Sequence, residues 1–412
     1  MVFKTMRLGD VLELRRGFDL PKSKREKGCV PVYSSSGISG YHSVSAVDGP
    51  CLVTGRYGTI GQVFYSEKPC WPLNTSLYAT EFKGNNSRFL YYFLKTLPWE
   101  SYATASAVPG INRNHVNAIP VCLPDLECQV GIASLLGALD DKIALNNQLN
   151  GYLEELLFAK YDELFPAESE HDGTLADIGT VVGGATPSKK RAEYYCENGI
   201  GWITPRDLSN SGDKFIAQGA VDLTEEGYSS CSVKLLPAGS VLFSSRAPIG
   251  YVAIAAANVT TNQGFKSIVP KEEFGTAFVY CFLVRNKKKI ADMGAGTTFP
   301  EVSGSMMRSV PLSLPSGQLC AEFSAFAHPI LEQQRSFELE NRNLCLLRDT
   351  LLPKLMSGKI DVSKVDLTQL NSHLAQIRKL NDAPLATTDL GFRFDRSHYT
   401  PLLYNPSSSQ QQ

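Results

Sequence analysis

An internal repeat is the feature that most constrains the fold of this 412-residue chain. A repeat of more than 100 residues predicts two copies of one folding unit, because the same local signals recur in the same order. The matched segments are Leu-Gly-Asp-Val at 8–11 with Leu-Ala-Asp-Ile at 175–178, Gly17 with Gly184, and 109–124 with 300–315. The offset between the copies grows from 167 near their starts to 191 near their ends, so the second copy carries 24 additional residues, which we expect in loops.

Between these anchors, a Gly- and Pro-containing turn also recurs. We align residues 55–61 with residues 245–250, one residue shorter, which matches Arg56 with Arg246. The same alignment matches Asn74 with Asn262.

Each copy ends in a long segment with apolar residues at alternating spacings of three and four. This heptad pattern predicts two helices of ~35 residues, each ~50 Å long. The globule-helix-globule-helix order favours antiparallel pairing of the two helices, and Asn146 in a core position would fix their register. The alternative is that each helix packs only on its own globule. The predicted helix-helix seam consists of Ile132, Leu135, Leu139, Leu149, Leu153, Leu156, Phe323, Phe326, Ile330, Leu344 and Leu347.

Short strand and helix signals fill each globule. Residues 51–56 and 239–246 each predict a strand that ends in a turn, and 88–97 and 276–285 predict helices. The predicted fold is therefore α+β, with two repeated mixed α/β domains separated by two long antiparallel coiled-coil helices and related by a pseudo-two-fold repeat. The predicted boundaries are 1–128 for the first domain, 129–170 for the central helix, 171–317 for the second domain, 318–360 for the C-terminal helix, and 361–412 for a partly disordered tail.

Neither a membrane span nor a signal peptide is apparent, which predicts a cytoplasmic protein. The ten cysteines are scattered, without CxxC pairs or zinc-type spacing. We interpret them as reduced, mostly buried packing residues, with a metal site or disulfides as the alternative.

Motifs for catalysis are missing from the sequence. It lacks a phosphate-binding GxxxxGK[ST] loop, a GxGxxG motif, an Asn-Pro-Pro-aromatic motif and a GxSxG elbow. The nearest approach to a metal nuclease is Asp125 with Asp140 and Asp141, but the last two lie on the predicted heptad helix. The pattern favours binding over catalysis, with no metal or cofactor held by this chain.

Candidate binding residues occur in both copies. Basic clusters in exposed loops suit phosphates, an arginine in a turn suits a guanine edge or a phosphate, and hydroxyl-rich strings suit base edges. The alternative for the basic clusters is a plain solvated loop, and for the two arginines it is a structural salt bridge or a carbonyl cap. The candidates are Lys22, Lys24, Arg25, Tyr33, Ser34, Ser35 and Arg56 in the first copy, and Lys189, Lys190, Arg191, Thr204, Arg206 and Arg246 in the second.

Three motifs carry a family resemblance. They are Gly-Gly-Ala-Thr-Pro-Ser at 183–188 followed by Gly-Trp-Ile-Thr-Pro-Arg-Asp-Leu at 201–208, Pro-Val-Tyr-Ser-Ser-Ser-Gly-Ile-Ser-Gly-Tyr at 31–41, and Leu-Leu-Pro-Lys-Leu-Met-Ser-Gly-Lys-Ile at 351–360. With them, residues 1 to about 365 resemble the DNA-specificity subunit of type I restriction-modification enzymes. The tail beyond that point does not match.

The resemblance implies two target-recognition domains, each of which reads one half of a split double-stranded DNA sequence. It implies that the helices set the spacing and dock two methyltransferase subunits, within a bacterial or archaeal complex that also contains restriction/translocase subunits. The chain itself would be non-catalytic, and S-adenosylmethionine, ATP and Mg²⁺ would act on the partner subunits. The alternatives are a two-headed coiled-coil protein scaffold and a free-standing methyltransferase or nuclease.

Charge is distributed unevenly along the chain. The net charge of −1 is composed of +4 for residues 1–130, −6 for 131–170, +1 for 171–317 and 0 for 318–412. Two weakly basic heads are thus joined by an acidic spacer. We expect this chain alone to bind DNA weakly, because phosphate neutralisation dominates affinity.

Overall fold

A computed structural model describes residues 2–102, 110–166, 171–294 and 300–365. The chain divides into two units. The first takes in the chain up to Leu145 together with the segment that begins at Arg342, and the second is Asn146–Asn341. Of the predicted tail, 366–412 lies outside the described residues.

Ten α-helices occur within the described residues. They are α1 Leu8–Val11, α2 Ser87–Lys95, α3 Arg113–Asn117, α4 Leu126–Leu164, α5 Leu175–Ile178, α6 Pro205–Ser211, α7 Glu225–Ser229, α8 Gly275–Asp292, α9 Gly304–Arg308 and α10 Gly317–Met356. Short 3₁₀ helices cover Lys22–Lys24, Trp99–Tyr102, Ala192–Tyr194 and Val362–Lys364. The helices predicted at 88–97 and 276–285 and the two long heptad helices are confirmed.

The described residues of the first unit form three sheets. The strands are β1 Phe3–Arg7, β2 Glu13–Arg16, β3 Val30–Ser34, β4 Gly37–His42, β5 Cys51–Gly55, β6 Val63–Ser66, β7 Trp71–Pro72, β8 Ser76–Glu81 and β9 Pro120–Pro124. Strands β2, β8, β5 and β6 form an antiparallel sheet in that order, β1 pairs with β9, and β3 lies between β4 and β7, parallel to β7.

The second unit repeats this plan with additions. Its strands are β10 Gly173–Thr174, β11 Gly179–Gly183, β12 Tyr195–Cys196, β13 Gly201–Ile203, β14 Phe215–Ile216, β15 Asp222–Leu223, β16 Val241–Phe243, β17 Val252–Ala255, β18 Val259–Thr261, β19 Lys266–Pro270 and β20 Pro311–Leu312. The main sheet has the order β11-β19-β16-β17-β14, with pairs β10-β20 and β12-β15 and a parallel pair β13-β18.

The strand orders confirm the repeat and the mixed α+β fold. The order β2-β8-β5-β6 corresponds to β11-β19-β16-β17, and the parallel pair β3-β7 to β13-β18. The offset between equivalent residues rises from 170 at Val32 and Trp202 to 189 at Gly55 and Ser244. Most of the additional residues therefore lie between β13 and β16, where they form α6, β14, β15 and α7 rather than plain loop.

The helices α4 and α10 are antiparallel in the second unit. Asn146 donates from Nδ2 to Glu340 Oε2 at 2.8 Å, and Gln334 donates to the Asn150 carbonyl at 3.1 Å. Further along, the rings of Tyr161 and Phe323 lie 5.7 Å apart. Residue numbers fall on α10 as they rise on α4, as the repeat order predicted, and Asn146 does take a buried polar position.

Each long helix also packs on the globular part of its unit. In the first unit Ile132, Leu136 and Leu355 join the core around Phe89 and Leu90. In the second, Leu157, Phe158 and Tyr161 join the core around Phe243 and Phe278. Pairing between helices and packing on the globule therefore occur together, where the sequence left them as alternatives.

The predicted seam needs correction at two positions. Leu156 is 49% exposed and Leu347 is 47% exposed, whereas the adjacent Leu157 and Arg348 are buried. An α-helix with 3.6 residues per turn drifts by ~20° per heptad against a strict seven-residue repeat. The other seam residues are buried or half-buried: Ile132, Leu135, Leu139, Leu149, Leu153, Phe323, Phe326, Ile330 and Leu344.

All ten cysteines are free thiols, but only five of them are buried, so the packing interpretation suits half of the set. None of the helices among the described residues combines the length and the apolar character needed to cross a membrane.

Candidate nucleic-acid interface

In the first unit, loops from several parts of the chain meet at one end of the sheets. The turn after β5 and the segment before α3 are joined because Ile111 donates its N–H to the Arg56 carbonyl at 3.0 Å. Arg56 in turn donates to the Thr75 carbonyl at 3.0 Å. A Cβ on Gly58 would lie 3.6 Å from Ser35 Oγ, which places the β3-β4 turn alongside. We call these segments, 18–19, 34–36, 56–61, 73–75 and 110–112, the first loop cluster.

The second unit assembles the equivalent loops by the same contacts. Ser245 donates to the Gly264 carbonyl at 2.8 Å, and Val302 donates to the Ser245 carbonyl at 2.9 Å. A Cβ on Gly264 would lie 3.1 Å from Pro205 Cγ. The second loop cluster therefore consists of 185–186, 204–207, 245–250, 262–264 and 301–303.

A glycine makes the close approach possible in each unit. A Cβ on Gly17 would lie 2.3 Å from the Leu73 carbonyl oxygen, and one on Gly184 would lie 2.0 Å from the Asn262 carbonyl oxygen. Side-chain hydrogen bonds also connect these loops. Asn74 donates to Asp19 in the first unit, and Thr186 donates to Gln263 in the second.

These contacts correct the alignment of the turn. The Arg56 and Ser245 carbonyls accept equivalent hydrogen bonds, and the bridge Tyr57↔Gly110 corresponds to Arg246↔Glu301. Both turns have the same length, since Gly55 donates to Gln62 and Ser244 to Tyr251. Arg246 is thus the counterpart of Tyr57, not of Arg56. By the same register the counterpart of Asn74 is Gln263, not Asn262. Residue identity favoured the arginine match, whereas backbone pairing decides the register.

The first basic cluster separates into exposed and structural members. Lys22 and Lys24 are exposed on a 3₁₀ helix. Arg25 is half-buried and donates from Nη1 to the Ser39 carbonyl at 2.8 Å. Arg25 is therefore tied to strand β4, and Lys22 and Lys24 are exposed cations of the cluster.

The second basic cluster is exposed throughout. Lys189 and Lys190 lie in the loop that follows Thr186. Arg191 Nη1 lies 3.0 Å from Glu193 Oε1, and the Arg191 guanidinium is 5.7 Å from the centroid of the Tyr194 ring. Arg191 is therefore paired with a carboxylate of its own loop, and Lys189 and Lys190 are the other exposed cations of the cluster.

Most of the predicted hydroxyl groups have structural roles. Tyr33 is 6% exposed, and burial raises its pKa to about 12, which corrects its assignment as a DNA contact. Ser34 donates to the Gly37 carbonyl within its turn, and Thr204 donates to Asp207 at 2.6 Å in a capping box of α6. Ser35 and the exposed Arg206 lie within the loop clusters.

The two turns present different side chains. In the first, the Arg56 guanidinium lies 4.6 Å from the centroid of the Tyr57 ring. In the second, Arg246 Nε lies 3.0 Å from Glu301 Oε2, and Lys266 Nζ lies 3.4 Å from Glu301 Oε1. Burial acts to raise the pKa of Glu301, but Arg246 and Lys266 outweigh it and the pKa is lowered. Tyr57, Lys266 and Glu301 were not among the residues predicted from the sequence. The alignment of 109–124 with 300–315 does pair Gly110 with Glu301, so the difference in charge at this position was visible in the sequence.

The acidic residues considered as a nuclease site have other partners. Asp140 accepts from Arg348 and Tyr92, and Asp141 pairs with Arg88. Across the described ranges no group of three or more His, Cys, Asp or Glu side chains is arranged to hold a metal ion.

Comparison with known proteins identifies one family. The sequence model of the type I restriction modification DNA specificity domain matches residues 2–155 and 168–319. The MjaIX type I restriction enzyme specificity subunit of Methanocaldococcus jannaschii is 43% identical over 145 residues, which cover 34% of this chain and 33% of that subunit. The HindI specificity subunit of Haemophilus influenzae is 27% identical over 330 residues, which cover 61% of this chain and 71% of that subunit. The crystal structure of a type I restriction-modification system S subunit from M. genitalium superposes with a TM-score of 0.57 at 16% identity, covering 86% of this chain and 96% of that one.

Proposed function

Since the chain belongs to the type I restriction modification DNA specificity family, with two domains of that family in tandem, we propose that it is a DNA-specificity subunit. Each of its two units would read one half of a bipartite recognition sequence in duplex DNA. The observation that carries this proposal is the pair of loop clusters. The same backbone contacts bring the same loops together in both units, while the side chains on those loops differ. A shared backbone arrangement that carries different side chains suits two domains that recognise different DNA sequences.

Phosphate contacts and base contacts have separate candidates in this scheme. Lys22 and Lys24 in the first unit, and Lys189 and Lys190 in the second, would neutralise phosphates and fix the register on the duplex. The turn residues Arg56, Tyr57 and Arg246 would face base edges.

The long helices would act as the spacer. Helix α4 has 39 residues, which at ~1.5 Å per residue corresponds to ~58 Å. Such a length accommodates two short half-sites and a gap. The helices would also dock two methyltransferase subunits, which would carry S-adenosylmethionine, while restriction/translocase subunits would use ATP and Mg²⁺. This chain would remain non-catalytic and act in the cytoplasm of a bacterium or archaeon.

Methylated-base sequencing tests the proposal. The chain would be expressed together with its methyltransferase partners in a host without other methylation, and the methylated positions would be mapped. We expect one bipartite motif with two fixed half-sites and a fixed gap. Methylation at a continuous motif, or none above the level of partners expressed without this chain, would contradict the proposal. Turnover of DNA by the purified chain alone, with S-adenosylmethionine or Mg²⁺, would also contradict it.

A further inference from the structure

The turn of the second unit carries a charged cluster that the first unit lacks. Arg246 and Lys266 flank Glu301, and a Cβ on Gly304 would lie 3.5 Å from Arg308 Nη1 and 3.9 Å from Lys266 Cε. By the register of the backbone pairing, the equivalent residues of the first unit are uncharged: Tyr57, Leu77, Gly110 and Asn117. The same loop positions therefore present different chemistry in the two units.

Arg246 is held in place and its side chain remains half exposed. Its side chain is 47% exposed, and the closest approach to Glu301 is made through Nε. The backbones of Arg246 and Glu301 also form a bridge, so the two side chains start from a fixed separation. Lys266, whose side chain is 16% exposed, holds the other oxygen of the carboxylate. An arginine restrained through Nε offers its two terminal nitrogens as a rigid, planar fork.

We propose that Arg246 reads a guanine in the half-site bound by the second unit, with Glu301 as its positioning residue. This inference rests on the proposed function. A fixed fork matches the two acceptors O6 and N7 that guanine presents in the major groove. Glu301 offsets part of the charge of Arg246, which weakens the attraction of Arg246 for a phosphate more than its hydrogen bonds to a neutral guanine edge. The acidic partner thus favours a base over the DNA backbone as the ligand of Arg246.

The first unit gives the internal comparison. There Tyr57 packs against Gly110, since a Cβ on Gly110 would lie 2.3 Å from the Tyr57 ring. The Arg56 guanidinium lies over the same ring, 4.6 Å from its centroid, where it meets a π surface instead of a carboxylate. The inference therefore predicts an effect confined to one half-site.

The experiment uses the complex with its methyltransferase partners and methylated-base sequencing. For Arg246→Ala we expect the preference for one guanine of one half-site to fall by roughly 5- to 150-fold, which corresponds to one bidentate contact. The other half-site and the gap should stay unchanged. Arg246→Lys should relax the preference for the same guanine in part, because lysine keeps the charge but lacks the planar fork. Glu301→Gln should weaken the guanine preference without lowering overall DNA affinity. Lys234→Ala, at an exposed lysine of the same unit, is the control and should change nothing.

Two results would overturn the inference. One is an unchanged motif in Arg246→Ala. The other is an equal loss of methylation at all sequences that Arg246→Lys restores, which would make Arg246 a phosphate contact. Failure of the proposed function itself is distinguishable, because the wild-type complex would then yield no bipartite motif.

Discussion

Asp140 and Arg348, which lie 208 positions apart in the chain, form an ion pair between α4 and α10 in the first unit. Arg348 Nη1 lies 2.8 Å from Asp140 Oδ1, and the side chains are only 11% and 22% exposed. Asp140 also accepts a hydrogen bond from Tyr92 of α2. One carboxylate therefore links both long helices to the globular part of this unit.

Removal of one partner of this pair should destabilise the first unit. For Arg348→Ala we expect a loss of about 3 kcal/mol in the free energy of unfolding, because Asp140 is left partly buried without its cation. Urea denaturation followed by tryptophan fluorescence measures this loss. Lys354→Ala, at an exposed lysine of the same helix, should cost less than about 0.5 kcal/mol. Equal effects of the two variants would mean that the ion pair does not hold the helices.

The glycines beneath the loop clusters should not tolerate a side chain. Gly17→Ala and Gly184→Ala each force a Cβ against a carbonyl oxygen, so we expect a loss of stability of at least about 2 kcal/mol for each. Gly317→Ala is the matched control, since a Cβ there meets nothing within 4 Å, and alanine should be neutral or stabilising by up to about 1 kcal/mol. Thermal unfolding of the three variants decides the point, and an unperturbed Gly184→Ala would refute the close approach.

The exposed lysines next to the loop clusters should contribute salt-dependent DNA affinity. Reversal of Lys22, Lys24, Lys189 and Lys190 to Glu should strongly weaken the affinity for DNA. It should also lower the slope of log affinity against log salt, by about 1 for each phosphate that is no longer neutralised. Fluorescence anisotropy of the complex with a labelled duplex measures both quantities. Reversal of Lys354, which is exposed near the end of α10, and of Lys359, which is exposed just after it, is the control. Retained affinity in the first variant, with its fold intact, would favour a protein scaffold over a DNA reader.

The stability of the second unit should depend on pH through Glu338. Burial, and to a smaller extent Asp213, raise the pKa of Glu338 to about 7, although the N–H groups of Lys214 and Phe215 donate to its carboxylate and act in the opposite direction. The folded unit therefore retains a proton that the unfolded chain releases near pH 4.5. Its contribution to stability is complete below that value and is lost as the pH rises through about 7.

Melting temperatures of the wild type and Glu338→Gln at pH 5 and pH 8 test this. The wild type should lose stability relative to Glu338→Gln as the pH rises. Glu332→Gln, at an exposed position of the same helix, should follow the wild type. Parallel profiles for the wild type and Glu338→Gln would contradict the shift.

The repeat and the heptad pattern predicted the architecture because both arise from local periodicity. Gly17 and Gly184 were matched correctly from the sequence, since the same steric requirement selects glycine at both places. The match of Arg56 with Arg246 was wrong by one position. Sequence identity rewards two arginines, but the register depends on backbone hydrogen bonds such as that from Val302 to Ser245, which leave no trace in residue type.

The candidate binding residues were likewise predictable only in part. Their charge and loop position could be read from the sequence, but the contacts that occupy them could not. Arg25 is tied to the Ser39 carbonyl, Tyr33 lies in the core and Thr204 caps a helix. Each of these contacts exists only in the folded chain, so the residue type alone does not predict it. Leu156 and Leu347 failed for a related reason, because small rotations along a helix accumulate over several turns.

The central claim is that α4 and α10 set the distance between two half-sites. Insertion of one heptad into both helices, after Leu145 and after Asn341, would lengthen each by about 10.5 Å and keep the apolar faces nearly in phase. Methylated-base sequencing of the resulting complex measures the outcome directly. We predict unchanged half-sites separated by a gap that is longer by about three base pairs. Altered half-sites with an unchanged gap would contradict the account.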